Sequence, residues 1–390
     1  MPATSHRSRS QAAYAVLCVA VLFAACAAPA PPGPNKPAPA AAGPAAGGPG
    51  AALGPTTQAA EPVAPAPPSV AHLRMGYQRL AVDLGVYVAD ARGYSAQEGI
   101  EIELINFGSG SEMMPALATG QLEISGAAAN PATLNAIARG VPLKAMLDRG
   151  SFRPGMGEQA IVVRKEVYER GRGHRLEDLP ELTLGLVPPG KGTTSACALA
   201  AGLQRVGLTL DDLNIQTLPF VDMVAALANG AIDAAMISEP FMTRAQRQGS
   251  IVRLMGVDEL YPNFTLTILG FHRDLYDDRP LAKRFVRAYL RAIREFLDAH
   301  AGRTSEADRA QIDEIIARYT GLDAATVREM QHPGFNPNGL PNKEATYYCY
   351  QFFRDLGLMP QPIPDATFAA LWGTDVVEEV LAEIGRRPEE

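Results

Sequence analysis

Glu112-Met-Met-Pro-Ala-Leu-Ala-Thr-Gly120 and Asp222-Met-Val-Ala-Ala-Leu-Ala-Asn-Gly230 share Met113/Met223, Ala116/Ala226, Leu117/Leu227, Ala118/Ala228 and Gly120/Gly230. The likeness runs on: Leu122-Glu123-Ile124 answers Ile232-Asp233-Ala234, and Asn130-Pro131 answers Glu239-Pro240. Two Ala/Leu helices resemble each other by chance easily. A helix, the strand after it and the start of the next helix do so less readily. The repeat predicts two lobes on one βαβ plan, each presenting helix N-termini along its rim.

Outward from the repeat, short apolar runs alternate with amphipathic stretches. Leu73–Tyr77, Ile100–Phe107, Leu122–Ala127, Leu143–Leu147, Ile161–Arg164, Leu182–Val187, Asn214–Leu218, Ile232–Ile237 and Thr265–Phe271 read as strands. The helices between them stop at Gly120, Gly140, Gly207, Gly230 and Gly249, where glycine takes the left-handed cap position. Strand, helix, strand in this rhythm predicts an α/β fold with mainly parallel sheets covered by helices on both faces. Ligands of open α/β sheets sit beyond the carboxyl ends of the strands, so two facing lobes place the site in the cleft between them. The strands Gln159–Lys165 and Phe264–Arg273 are the expected crossings, which assigns 72–157 to the first part of lobe 1, 158–264 to lobe 2, and 265–390 to the rest of lobe 1 with C-terminal helices.

The N-terminal region has a different character. Residues 1–25 carry His6, Arg7 and Arg9 and then an apolar run, the order of a secretory signal. That run is shorter than the roughly 20 apolar residues a spanning helix needs. Phe23-Ala24-Ala25-Cys26 resembles the lipobox of bacterial lipoproteins, with Phe23 in place of the usual Leu; the resemblance implies acylation of Cys26. Ordinary small-residue cleavage with Cys26 incidental is the alternative. Residues 26–71 are dominated by Ala, Pro and Gly, a composition that buries no core and reads as a disordered stalk. The formal net charge of −7 becomes −9 without Arg7 and Arg9, which is unlike a nucleic-acid binder.

Loops that follow strands and open helices carry the candidate site: Ser109, Gly110 and Ser111; Asn130; and Lys191, Gly192, Thr193, Thr194 and Ser195. Free backbone N–H groups and hydroxyls at positive helix ends favour an anion. Micromolar binding needs about 8 kcal/mol, and charge-assisted hydrogen bonds supply about 1.5–3 kcal/mol each, so a handful from two lobes suffices. Helix capping alone is the competing explanation for Ser109, Ser111 and Asn130. Three adjacent hydroxyls from Thr193 to Ser195 exceed what one cap needs. Gly190-Lys191-Gly192-Thr193 lacks the preceding glycine of a phosphate-binding P-loop. Glu239 has three readings: a partner for a cationic ligand group, a hydrogen bond across the cleft, or a helix-start cap.

In order and spacing, Gly76-Tyr77-Gln78, the Arg-Gly-Tyr and Glu-Gly-Ile of Ala89–Ile102, Met114–Gly120, Gly140-Val-Pro-Leu, Leu184–Thr194, Pro219–Asp233 and Glu239-Pro240-Phe241 resemble the nitrate, sulfonate and taurine substrate-binding proteins of ABC importers. Fungal thiamine-pyrimidine synthases share that fold. The resemblance implies a type II periplasmic binding fold, two lobes around a ligand cleft joined by two hinge strands. It implies a protein that hands a small organic anion to a permease and its ATPase; with the N-terminal signal and lipobox likeness, the expectation is an exported, lipid-anchored monomer, periplasmic or at the cell surface. It also brings Gln78 into the ligand site. A pyrimidine-type ligand, an enzyme on the same fold and a tethered sensor are the alternatives.

No nucleophile, base and orienting acid occur at a plausible spacing, and His72, His174, His272, His300 and His332 stand in unrelated contexts. No cofactor or metal is therefore assigned. Enzymes on this fold use cysteine-bearing sites, for which Cys197 is the cleft candidate. Without a cysteine framework, Cys197 and Cys349 are expected to be free, partly buried thiols. The aromatic run Tyr347, Tyr348, Tyr350, Phe352 and Phe353 reads as a buried helix.

Overall fold

The computed structural model describes residues 70–389 except Ser109. The expected signal, Cys26 with its expected acylation, and nearly all of the expected stalk fall outside these residues. Ten strands form two five-stranded sheets among the described residues. The first contains β1 (Ala71–Tyr77), β2 (Ile100–Asn106), β3 (Ile124–Ala128), β4 (Leu143–Phe152) and β10 (Phe264–His272), ordered β2-β1-β3-β10-β4. The second contains β5 (Gln159–Arg164), β6 (Thr183–Leu186), β7 (Asn214–Thr217), β8 (Ala234–Ser238) and β9 (Ile251–Gly256), ordered β7-β6-β8-β5-β9.

The two orders are the same pattern. The repeated stretches are the helices Gly110–Ala118 and Phe220–Asn229, which lead into β3 and β8 at the middle of their sheets. Gly120, Gly140, Gly207, Gly230 and Gly249 all take positive φ, between +67° and +88°. The sheets are mixed rather than simply parallel. β10 is antiparallel to β3 and β4, and β5 is antiparallel to β8 and β9, while the other pairings are parallel. A strand that has just crossed from one lobe enters its new sheet from the cleft side, so it runs against strands that end there. β9 is absent from the expected strands; Ile-Val-Arg-Leu-Met-Gly follows a helix-ending glycine but sits at a sheet edge with a half-buried pattern.

Packing explains the small residues. In the helix Thr194–Gln204 nine residues are buried, and a Cβ on Gly202 would lie 2.3 Å from Leu260. A helix covered on nearly every side needs Ala and Gly where neighbours approach closely. One of those neighbours is the helix Lys343–Asp355, which buries Ala345, Cys349, Tyr350 and Phe353; of the aromatic run expected to be buried, Tyr348 and Phe352 are only half-buried and Tyr347 is exposed, because the run spans both faces of the helix.

One expectation is overturned at that contact. Cys197 and Cys349 form a disulfide, with Cα atoms 5.6 Å apart and a sequence separation of 152. A single long-range pair carries no spacing signature, so the sequence had no framework from which to read it. No helix among the described residues is long and apolar enough to cross a membrane.

Candidate functional site at the facing sheet edges

β1, β2, β3 and β4 end on one side of the first sheet, and β6, β7, β8 and β9 end on the corresponding side of the second. The chain passes between these edges twice, after β4 and after β9. Most of the rim residues expected to hold ligand are engaged in local structure. Asn130 caps the helix Pro131–Ala138, its Oδ1 accepting from Thr133 N at 3.0 Å. Thr193 caps Thr194–Gln204, accepting from Ala196 N at 3.1 Å and donating to the Gly190 carbonyl at 3.0 Å. Lys191 is ion-paired with Asp211, and Gly192 packs against Pro189 and Leu358. Gln78 donates its N–H to Asp83 Oδ2 over 3.5 Å. Gly110 begins its helix where a Cβ would lie 3.5 Å from the Ala127 backbone. Ser109 and the side chain of Ser111 lie outside the described residues. Thr194 and Ser195 are buried, and Thr194 Oγ1 has no hydrogen-bond partner.

Glu239 does two of the three things expected of it. One carboxylate oxygen accepts from Thr243 N at 3.0 Å, capping the helix Phe241–Arg247; the other accepts from Gln331 N at 2.9 Å, on the C-terminal part of the chain. Burial raises its pKa despite those hydrogen bonds.

The strongest polar feature lies deeper, at residues the sequence reading did not nominate. Arg149, on β4, donates from Nε to Asp83 Oδ1 at 2.7 Å, and both side chains are at most 1% exposed. Its two terminal amino groups are buried without a hydrogen-bond partner. β3 makes room for this guanidinium with a glycine: a Cβ on Gly126 would lie 2.5 Å from Arg149 Nε. Glu158, just before β5, is buried beside the group. Burial pushes its carboxyl up to about 8 against the pull of Arg149, with Glu239 and Asp83 adding like charge. A protonated carboxyl both donates and accepts. The backbone closes the circle, because Glu239 N donates to the Glu158 carbonyl at 2.8 Å. Gln159 Oε1 and Thr267 Oγ1 are likewise buried without partners.

Unsatisfied buried donors carry a desolvation cost of about 1–3 kcal/mol each, more when charged. Their accumulation where two sheet edges face each other is what a ligand with complementary oxygens would relieve. A model of the NMT1-like family matches residues 66–312, a span containing both sheets and the whole polar cluster. The chain belongs to the NMT1-like family. That bears out the resemblance to nitrate, sulfonate and taurine binding proteins, and with it the two-lobed type II fold.

Among curated relatives, the NMT1-like chain is 28% identical over 218 residues to a bicarbonate transport ATP-binding protein, CmpC, of Synechocystis, covering 52% of this chain and 32% of that protein. It is 29% identical over 255 residues to the riboflavin-binding protein RibY of Chloroflexus aurantiacus, covering 62% of this chain and 68% of that one. The chain thus spans about a third of the length of the first relative. In structure it is similar to the periplasmic aliphatic sulphonate binding protein SsuA from Escherichia coli, with a TM-score of 0.61 at 21% identity over 76% of this chain and 91% of that one.

The signal for the missed cluster in this NMT1-like chain was present but faint. Leu-Asp-Arg-Gly at 147–150 sets two charges inside a strand whose other residues are mostly apolar, and Asp148 and Arg149 are both buried. Paired charges of that kind stand out only when their partners are known. Asp83 lies far upstream, in a short turn with no motif.

Proposed function

We propose that this chain is a solute-binding protein that collects a small organic anion outside the cytoplasm and presents it to an ABC importer. The observation that carries the reading is the Arg149 guanidinium, buried, held by Asp83 and left with two unpartnered amino groups at the facing edges of the sheets. A carboxylate or sulfonate accepts such a fork in bidentate fashion. Thr194 Oγ1 and the helix N-terminus beneath it add donors from the other lobe. Family membership supports the role, as do the transport and binding names of the two curated relatives. Lipid anchoring through Cys26, with a sulfonate, taurine or nitrate cargo, is the finer form of the same proposal. The disulfide counts against a cysteine-based enzyme, since it occupies the Cys197 thiol.

A second reading, a pyrimidine-type ring, is favoured by Glu158. With its carboxyl pushed up to about 8, it is protonated at neutral pH and matches the alternating donor and acceptor edge of an imide or aminopyrimidine. A thermal-shift screen of the purified protein against alkyl sulfonates, taurine, nitrate, carboxylates, pyrimidines and riboflavin separates the two. Binding to the native state adds about 2.7 kcal/mol of stability at a hundredfold excess over the dissociation constant. Selective shifts with sulfonates or carboxylates support the first reading, and shifts with uncharged rings support the second. Turnover of any bound compound would overturn both.

A further inference from the structure

His300 and His332 are 32 positions apart in sequence, and nothing in their spacing suggests a metal. The structure brings them together, with ring centroids 4.3 Å apart. His300 ends the long helix Arg279–His300, Asp313 projects from the helix Glu306–Thr320, and His332 follows the helix Ala324–Glu329. One nitrogen from each imidazole and one oxygen from Asp313 all lie within 4.8 Å of one another. Asp313 is 2% exposed and His332 6%.

The hydrogen bonding of this trio is incomplete. His300 Nδ1 lies 3.1 Å from the Phe296 carbonyl. Donation there leaves the lone pair on Nε2, the arrangement in which a backbone carbonyl orients a metal-binding histidine. His300 Nε2 and Asp313 Oδ1 are buried without hydrogen-bond partners, and so are the ring nitrogens of His332, apart from the Val327 backbone beside that ring. Arg328 Nε stands 3.5 Å from Asp313 Oδ2, an ion pair that leaves Oδ1 unengaged. Buried polar atoms are rarely left so, and several gathered in one cluster point to a missing occupant.

We propose that His300, Asp313 and His332 hold a divalent transition-metal cation of the zinc class. Two imidazole nitrogens and a carboxylate oxygen suit Zn²⁺, and three protein ligands leave a fourth position open. Both histidines line a cavity of about 770 Å³, whose wall also carries five arginines, Arg309 and Arg328 among them, and the carboxylates of Asp298 and Glu329. The cavity provides an entry path, and its arginines favour water, hydroxide or a small anion as the fourth ligand. The same arginines oppose the cation, and Arg328 competes with it for Asp313.

The test is titration of the full chain, purified without a histidine tag and stripped of metal, with Co²⁺ alone, read by the visible absorption of a four- or five-coordinate ion, and then displacement by Zn²⁺. The expected result is one Co²⁺ per chain, displaced by Zn²⁺. Because an outer-shell partner is worth about 10–100-fold in metal affinity, His300→Gln and His332→Asn each lose at least that much. Arg328→Gln binds more tightly than the wild type, because it frees Asp313 and removes a repelling charge. Circular dichroism confirms that each variant is folded, and His300→Gln, at the less buried position, carries the test if His332→Asn is not. No absorption band with the folded wild type overturns the proposal, as does wild-type affinity in a folded histidine variant or weaker binding by Arg328→Gln.

Discussion

Cys197, in the first turn of the helix Thr194–Gln204, is bonded to Cys349 in the middle of the C-terminal helix Lys343–Asp355. The bond fastens a helix of the second sheet to a segment that also touches the first lobe, where Asn135 Nδ2 donates to the Leu358 carbonyl at 3.0 Å. Closing a loop of 152 residues removes much freedom from the unfolded chain. Reduction, or the double substitution Cys197→Ala with Cys349→Ala, is expected to cost about 2–5 kcal/mol. Urea unfolding with and without reductant measures it. An unchanged midpoint after both thiols have been titrated as free would show that the bridge adds no stability.

Arg149 and Asp83 form a buried pair, so removing one partner leaves the other charged in an apolar setting. Arg149→Met is expected to destabilise by about 3–5 kcal/mol, and adding Asp83→Leu to recover much of that loss. A double-mutant cycle by chemical denaturation reads the coupling. Simple additivity of the two losses would contradict the pairing.

Glu158 supplies a pH dependence. Unfolded, it ionises near its ordinary value of 4.5; folded, burial holds the proton until about 8. Across that window the folded chain binds more protons, so this group makes stability fall as pH rises from about 4.5 through about 8, and the loss is complete above it. Glu158→Gln has no such loss. Its melting temperature should therefore gain on the wild type between pH 5 and pH 9. A gap that stays constant across that range would mean the carboxyl is not held protonated.

Thr194 separates a structural hydroxyl from a ligand contact. Its Oγ1 has no partner in the protein, so Thr194→Val should leave stability nearly unchanged. Ligand affinity, once the screen has found a ligand, should fall by about 0.5–1.5 kcal/mol, roughly two- to tenfold. Calorimetric titration measures it, and unchanged affinity would remove Thr194 from the site.

Local patterns carried the sequence reading a long way. The repeat of Glu112–Gly120 in Asp222–Gly230 foretold two matching sheets, and the glycine stops foretold five left-handed helix ends, because periodicity and backbone freedom are properties of a few neighbouring residues. The site was less legible. The rim hydroxyls and Asn130 were visible as types, but a helix cap and a ligand contact use the same residues at the same places, and only geometry showed that Asn130 and Thr193 cap their helices.

What the sequence determined by itself is thus the α/β class and the pairing of two lobes. Tertiary structure alone decided that β5 and β10 run against their neighbours, that Cys197 meets Cys349, that Asp83 holds Arg149, and that His300 faces His332. Each of these joins residues distant along the chain through close packing. Such contacts depend on where whole elements come to rest, which no short stretch of sequence encodes.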